Sequence, residues 1–181
     1  MRPRIPLALA SALVLAASSA CARSSGGDAS DAPAPADSIV LERQPCFGLC
    51  PVYRVSIAAS GVVRFVARDS AGTPHAEGDT IAPDEFTRLL VGAQRAAFDS
   101  LPTRVSDDQS LCRLRATDHA TVVVTIFRPS GARRVEDYTG CYVESDPPRM
   151  APGLMALRVF ESSVDRTAGV SRWVKPPRGK G

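Results

Sequence analysis

Histidine is almost missing from this 181-residue chain, which carries only His75 and His119. Chemistry that depends on imidazole, as a general base or a metal ligand, has little to draw on. Net charge is scarce too. The formal +3 falls to +1 once Arg2 and Arg4 are set aside, so binding to nucleic acid or an acidic substrate has no electrostatic footprint. Long hydrophobic runs are lacking as well. Ile5 to Ala17 is apolar but shorter than the ~20 residues of a comfortable bilayer span, and no second candidate span follows.

What the N-terminus does contain is an export pattern. Arg2 and Arg4 make a basic start, Ile5 to Ala17 an apolar centre, and Ser18, Ser19 and Ala20 a small-residue cleavage site before Cys21. Residues 1–20 therefore read as a signal peptide, and the rest of the chain is expected outside the cytoplasm. The segment resembles that of bacterial lipoproteins, which implies that Cys21 is diacylated on sulfur and anchors the protein to a membrane of the cell envelope. Ser18 stands where such signals carry an apolar residue, so cleavage after Ala20 or Ala22, giving a soluble periplasmic or secreted product, is the alternative. Beyond the cysteine, residues 21–38 hold Arg23 and otherwise only Ser, Gly, Asp, Ala and Pro, with no large aliphatic or aromatic side chain. They cannot bury enough surface to offset ordering, and read as a flexible tether with a reach of roughly 20–25 Å. The tail 175–181, rich in Pro and Gly, reads as disordered.

Between them lies one domain, residues 39–174, large enough for a sizeable core. Its pattern runs twice. Val52 to Ala58 alternates Tyr53, Val55 and Ile57 with polar residues, Ser60-Gly61 turns, and Val62 to Arg68 alternates around Val63 and Phe65. Pro83 then opens a helix with Asp84 and Glu85 near its positive end and a stripe of Phe86, Leu89, Leu90, Ala93 and Ala97. Seventy residues later Thr121 to Phe127, Ser130-Gly131 and Arg133 to Tyr138 repeat the hairpin. Pro152 then opens a helix with Leu157, Phe160 and Val164 that Gly169 stops. The expectation is an α+β fold, a ββαββα pseudo-repeat whose four-stranded antiparallel sheet carries both helices on one face.

The remaining cysteines are Cys46, Cys50, Cys112 and Cys141. In an oxidising compartment four cysteines read as two disulfides with three possible connectivities. Cys46–Cys50 with Cys112–Cys141 is the preferred pairing, and it requires Gly48 to turn the chain, since residues four apart on a strand lie ~13 Å from each other. The two crossed pairings are the alternatives.

Cys46-Phe47-Gly48-Leu49-Cys50-Pro51-Val52-Tyr53, Thr117-Asp118 and the closing Ser171-Arg172-Trp173-Val174 carry a resemblance. The chain is similar, over residues 39–174, to an uncharacterised family of bacterial exported domains, classed as a domain of unknown function. The resemblance implies the domain limits and the exported setting, and no activity.

Catalytic patterns are weak. Redox-active cysteines are usually spaced by two residues at a helix start, whereas three separate Cys46 from Cys50 before Pro51 and a strand. Asp118 and His119 are adjacent, so on a strand their side chains diverge. The carboxylates Asp107, Asp108, Glu136, Asp137, Glu144 and Asp146 show no acid–base spacing and read mostly as solvated. No catalytic residue, metal or cofactor is expected. Strand alternation, in contrast, puts Arg54, Arg64 and Arg134 with Tyr138 on the sheet face away from the helices, a possible binding face for an envelope protein. The expected function is a non-catalytic binding or structural module of the envelope. The alternative is a thiol–disulfide redox protein, or another envelope enzyme, using Cys46 and Cys50.

Overall fold

The computed structural model describes residues 37–68 and 72–174. The expected signal peptide, Cys21, the tether as far as residue 36 and the tail 175–181 lie outside the described residues.

The chain forms β1 (Ser38–Arg43), β2 (Tyr53–Ala58), β3 (Val62–Arg68), β4 (Pro74–Thr80) and helix α1 (Pro83–Arg95). Two 3₁₀ turns follow, at Phe98–Ser100 and Val105–Asp107, then β5 (Leu114–Arg115), β6 (Thr121–Arg128) and β7 (Gly131–Tyr138). Short strands β8 (Cys141–Tyr142), β9 (Glu144–Ser145) and β10 (Pro148–Arg149) lead to α2 (Pro152–Ala168) and a last turn at Val170–Arg172. The main sheet is antiparallel with strand order β4-β3-β2-β1-β6-β7. The α+β class matches expectation, but the sheet has six strands instead of four.

Both extra strands escape a reading by alternation. β1 is a run of Ile39, Val40 and Leu41 buried on both faces, because it sits in the sheet's centre between the two hairpins. A doubly buried strand shows no polar alternation. β4 fails in the opposite way. Its sequence Pro-His-Ala-Glu-Gly-Asp-Thr is almost wholly exposed at the sheet edge, where proline and charge are tolerated and no apolar face is needed.

The two expected hairpins form around their Ser-Gly turns. Gly61 has φ +88°, and a Cβ there would lie 2.2 Å from the carbonyl oxygen of Ile81, so both conformation and close approach demand glycine. α1 starts at Pro83 and buries Phe86, Leu89 and Ala93. It ends two residues earlier than its apolar stripe suggests, since Ala97 has φ +50° and is exposed. α2 buries Leu154, Leu157, Phe160, Val164 and Ala168, and Gly169 closes it in the left-handed conformation. Both helices cover the same sheet face, over Ile39, Leu41, Val55, Ile57, Val63, Phe65, Val122, Val124 and Ile126. Phe98 meets Phe160 edge to face at 5.7 Å, and Trp173 stacks near Phe65 at 5.1 Å, on the core side as its apolar flanks suggest.

Candidate functional site

The face opposite the helices carries the arginines that alternation assigns to it. Pairing sets Arg64, Ser56, Val40, Thr125 and Arg134 in one row across five strands. The next row runs Val66, Arg54, Glu42, Val123 and Glu136. Arg64 and Arg134 are thus four strand spacings apart, ~19 Å, too far to hold one small ligand together. Nor is the face simply basic. Arg54 pairs with Glu42 at 2.7 Å, and Arg134 forms a close ion pair with Glu136. Arg64 alone of the three has no hydrogen-bond or ion-pair partner among the described residues. Val40 in the first row and Val123 in the second are buried.

A cleft of about 500 Å³ opens at the β7 end of this face, lined by Arg104, Ser106, Arg115, Thr117, Glu136 and Tyr138 among others. One wall is the segment before the Val105–Asp107 turn, which runs along the free edge of β7 through a hydrogen bond from the Glu136 N–H to the Thr103 carbonyl at 2.8 Å. Glu136 is held from two sides, by Arg134 and by Arg104 Nε at 3.5 Å. Arg115 donates to the Ser106 carbonyl and ties the opposite walls together. Tyr138 donates to the Ala116 carbonyl at 2.8 Å and receives the His119 N–H at 3.3 Å, so its hydroxyl clasps the 116–119 loop. The cleft therefore offers guanidinium groups, hydroxyls and an aromatic ring beside two carboxylates, the ion-paired Glu136 and Asp107. That set suits hydrogen bonding to a polar, carboxylate-bearing ligand. Of the four residues expected on the binding face, Tyr138 lines the cleft, Arg134 stands behind it through its ion pair with Glu136, and Arg54 and Arg64 are not part of its lining.

Beneath α2, on the helix side, lies a charge network that sequence reasoning missed. Arg43 reaches Asp165 at 2.6 Å, and the Tyr53 hydroxyl donates to the same carboxylate at 2.8 Å. Arg158 holds Asp137 at 2.8 Å. Asp137, read as solvated, is 0% exposed. Its position was legible, because a strand that turns Glu136 and Tyr138 outward must turn Asp137 in. Glu161 is 3% exposed, and its carboxyl makes no hydrogen bond or ion pair with any described residue. The signal there is helical spacing, four residues after Leu157 and three before Val164. Burial pushes the Glu161 carboxyl well above the usual carboxylate range, the Asp137 charge adds to this, and Arg43 and Arg158 oppose it. Burial also raises the Tyr53 phenol, helped by the charge of Asp165. For Arg43 burial acts downward, but Asp165 and Tyr53 outweigh it and the guanidinium is raised.

The four cysteines pair as preferred, Cys46 with Cys50 and Cys112 with Cys141, with Cα separations of 5.7 and 4.8 Å. The first closes a five-residue ring whose turn is fixed by the Gly48 N–H bonded to the Cys46 carbonyl at 3.0 Å. The second ties the loop before β5 to β8 in the core. Among the described residues no three His, Cys, Asp or Glu side chains are grouped to hold a metal ion. His75 instead lies 3.2 Å from Glu77 on β4, and Asp118 sits in an exposed turn with φ +67°.

No curated protein matches the chain. A family model does, over residues 37–151, a stretch that holds the whole six-stranded sheet, α1 and both disulfides and stops just before α2. The chain thus belongs to the family described as a domain of unknown function, DUF6438.

Proposed function

We propose that this protein is an exported, non-catalytic binding module of the cell envelope, held at a membrane by acyl chains on Cys21. The observation that carries the binding reading is the cleft at the β7 edge. Arg104 in its lining shares Glu136 with Arg134, which stands behind the cleft, so a ligand carboxylate can replace Glu136 at Arg104 without leaving either arginine bare. A carboxylate-bearing segment of an envelope protein, laid across Tyr138 and continuing over Arg64 and Arg54, fits this distribution of charge and aromatic surface. Two disulfides in one small domain support the oxidising setting.

The rival reading is a thiol–disulfide enzyme using Cys46 and Cys50. Their ring is followed by Pro51 and Val52 and then β2, so no helix start stands beside them to lower a thiol pKa. That favours a structural bridge. Capture from crosslinked envelopes tests the binding reading. Replacing Arg104, Arg115 and Arg134 together by Ser should abolish retention of the partner, and replacing Arg54, Arg64 and Arg134 should weaken it. Both variants should melt close to the parent, because exposed ion pairs contribute only about 0–1 kcal/mol each. Retention unchanged in both variants would overturn the reading.

A further inference from the structure

The Cys46–Cys50 ring presents the most exposed large apolar side chains among the described residues. Phe47 is 88% and Leu49 77% exposed, and Val52, two residues after the ring, is exposed as well. The register explains the grouping. Arg43 at the end of β1 pairs with Tyr53 and Val122, and the Gln44 N–H bonds the Thr121 carbonyl at 2.9 Å, so the ring projects from the sheet end where β2 and β6 begin. The 113–120 loop and β8 leave from that same end. The disulfide and the Gly48 turn hold the ring in shape. Burying its two side chains against something else therefore loses little conformational entropy.

We propose that this ring is a membrane-contacting tip, with Phe47 and Leu49 entering the interfacial layer of a lipid bilayer. The proposal rests on the exported setting proposed above, and chain length makes the contact reachable. Fifteen residues lie between Cys21 and Asp37, sixteen steps of chain with an extended span of up to ~55 Å. The ring lies one six-residue strand, ~20 Å, from the point where the chain enters the sheet. A domain tethered at Cys21 can thus turn the ring toward the membrane. Size argues against a protein partner at this spot, since two side chains fall far short of the ~800 Å² per partner of a stable interface. A bilayer asks less, because apolar side chains that enter its interfacial layer need no complementary surface opposite them, and tethering only adds to that binding. The segment from Gln44 to Tyr53 carries no charged side chain, and Arg43 and Arg54 on either side of it are paired with Asp165 and Glu42. The attraction is accordingly apolar and independent of anionic lipid.

The test uses the exported chain carrying Cys21→Ser, so that no acyl group contributes, and phosphatidylcholine vesicles with or without phosphatidylglycerol. Phe47→Trp should show blue-shifted emission quenched by brominated acyl chains, beyond any change in the Trp173 signal of the parent. Phe47→Ser/Leu49→Ser should co-sediment with either vesicle about tenfold less than the parent, while Phe47→Leu keeps most of the binding. Absence of quenching, or equal co-sedimentation of parent and double variant, overturns the proposal. So does an envelope protein whose capture requires Phe47 when vesicles are not bound. Because acylation is absent throughout, failure of the Cys21 reading leaves this outcome unchanged and is seen separately, as a wild-type protein that is already soluble.

Discussion

Arg43 on β1 donates through Nη2 and Nε to one carboxylate oxygen of Asp165 on α2, at 2.6 and 3.0 Å, across 122 residues of chain. The other oxygen of Asp165 takes the Tyr53 hydroxyl at 2.8 Å. One carboxylate thus joins α2, which lies beyond the matched family region, to two adjacent strands of the sheet within it. Asp165→Ala leaves a largely buried guanidinium and a phenol without their acceptor, and should destabilise the domain by about 2–3 kcal/mol. Asp165→Asn should recover part of that loss by keeping the acceptor for Tyr53. Urea unfolding of the two variants checks the order. Equal stability of Asp165→Ala and wild type would mean that α2 is held by its apolar stripe alone.

Glu161 gives a pH dependence of definite sign. Its carboxyl titrates higher in the folded chain than in the unfolded one. Below the ordinary carboxylate range both states hold the proton and stability is fully present. As pH rises through that range the unfolded chain ionises first, and stability is lost until the folded-state value is passed. Glu161→Gln removes the titration while keeping the shape. It should melt higher than wild type at neutral pH, with the gap closing in acid. A gap that is constant with pH would show that Glu161 is ionised in the folded state and compensated by Arg43 and Arg158.

The two disulfides differ in the loop that each closes, with sequence separations of 4 and 29. The loop-entropy model assigns about 2 kcal/mol to Cys46–Cys50 and about 3.5 kcal/mol to Cys112–Cys141. Removing both cysteines of the longer bridge should therefore cost more, the more so because Cys112 and Cys141 are buried in the core and Cys46 and Cys50 are half-exposed. Thermal melts of the two double-Ala variants test the ranking. Non-reducing peptide mapping tests the connectivity, which a 46–112 or 50–141 peptide would refute.

Anchoring is tested outside the folded domain. Cys21→Ser should shift the protein from the membrane pellet to the soluble fraction with no change in melting temperature, because the residue precedes the domain. Wild type that is already soluble, with an unmodified N-terminus at Cys21 or Arg23, would replace the anchor by ordinary cleavage.

The sequence by itself determined the elements whose signal is local. Tyr53, Val55 and Ile57 alternate with polar neighbours, Gly61 and Gly131 permit the two turns, and Pro83, Pro152 and Gly169 punctuate the helices. Each depends on contacts within a few residues, which periodicity and turn chemistry report directly. The outward phase of Arg54, Arg64, Arg134 and Tyr138 followed from the same alternation.

Tertiary structure alone decided the rest, because it depends on which distant segments meet. β1 becomes the central strand by pairing on both edges at once, and β4 is a strand only because β3 lends it a ladder. One disulfide pairing in three is realised because the turn at Gly140 after β7 lies beside Ala116, bringing Cys141 to Cys112. Asp137 and Glu161 are buried because α2 lies across the end of β7, with Arg158 reaching down to the strand. The cleft exists because residues 103–107 lie along the edge of β7. Long-range pairing of this kind is written in the complementarity of whole surfaces, which no local window of sequence contains.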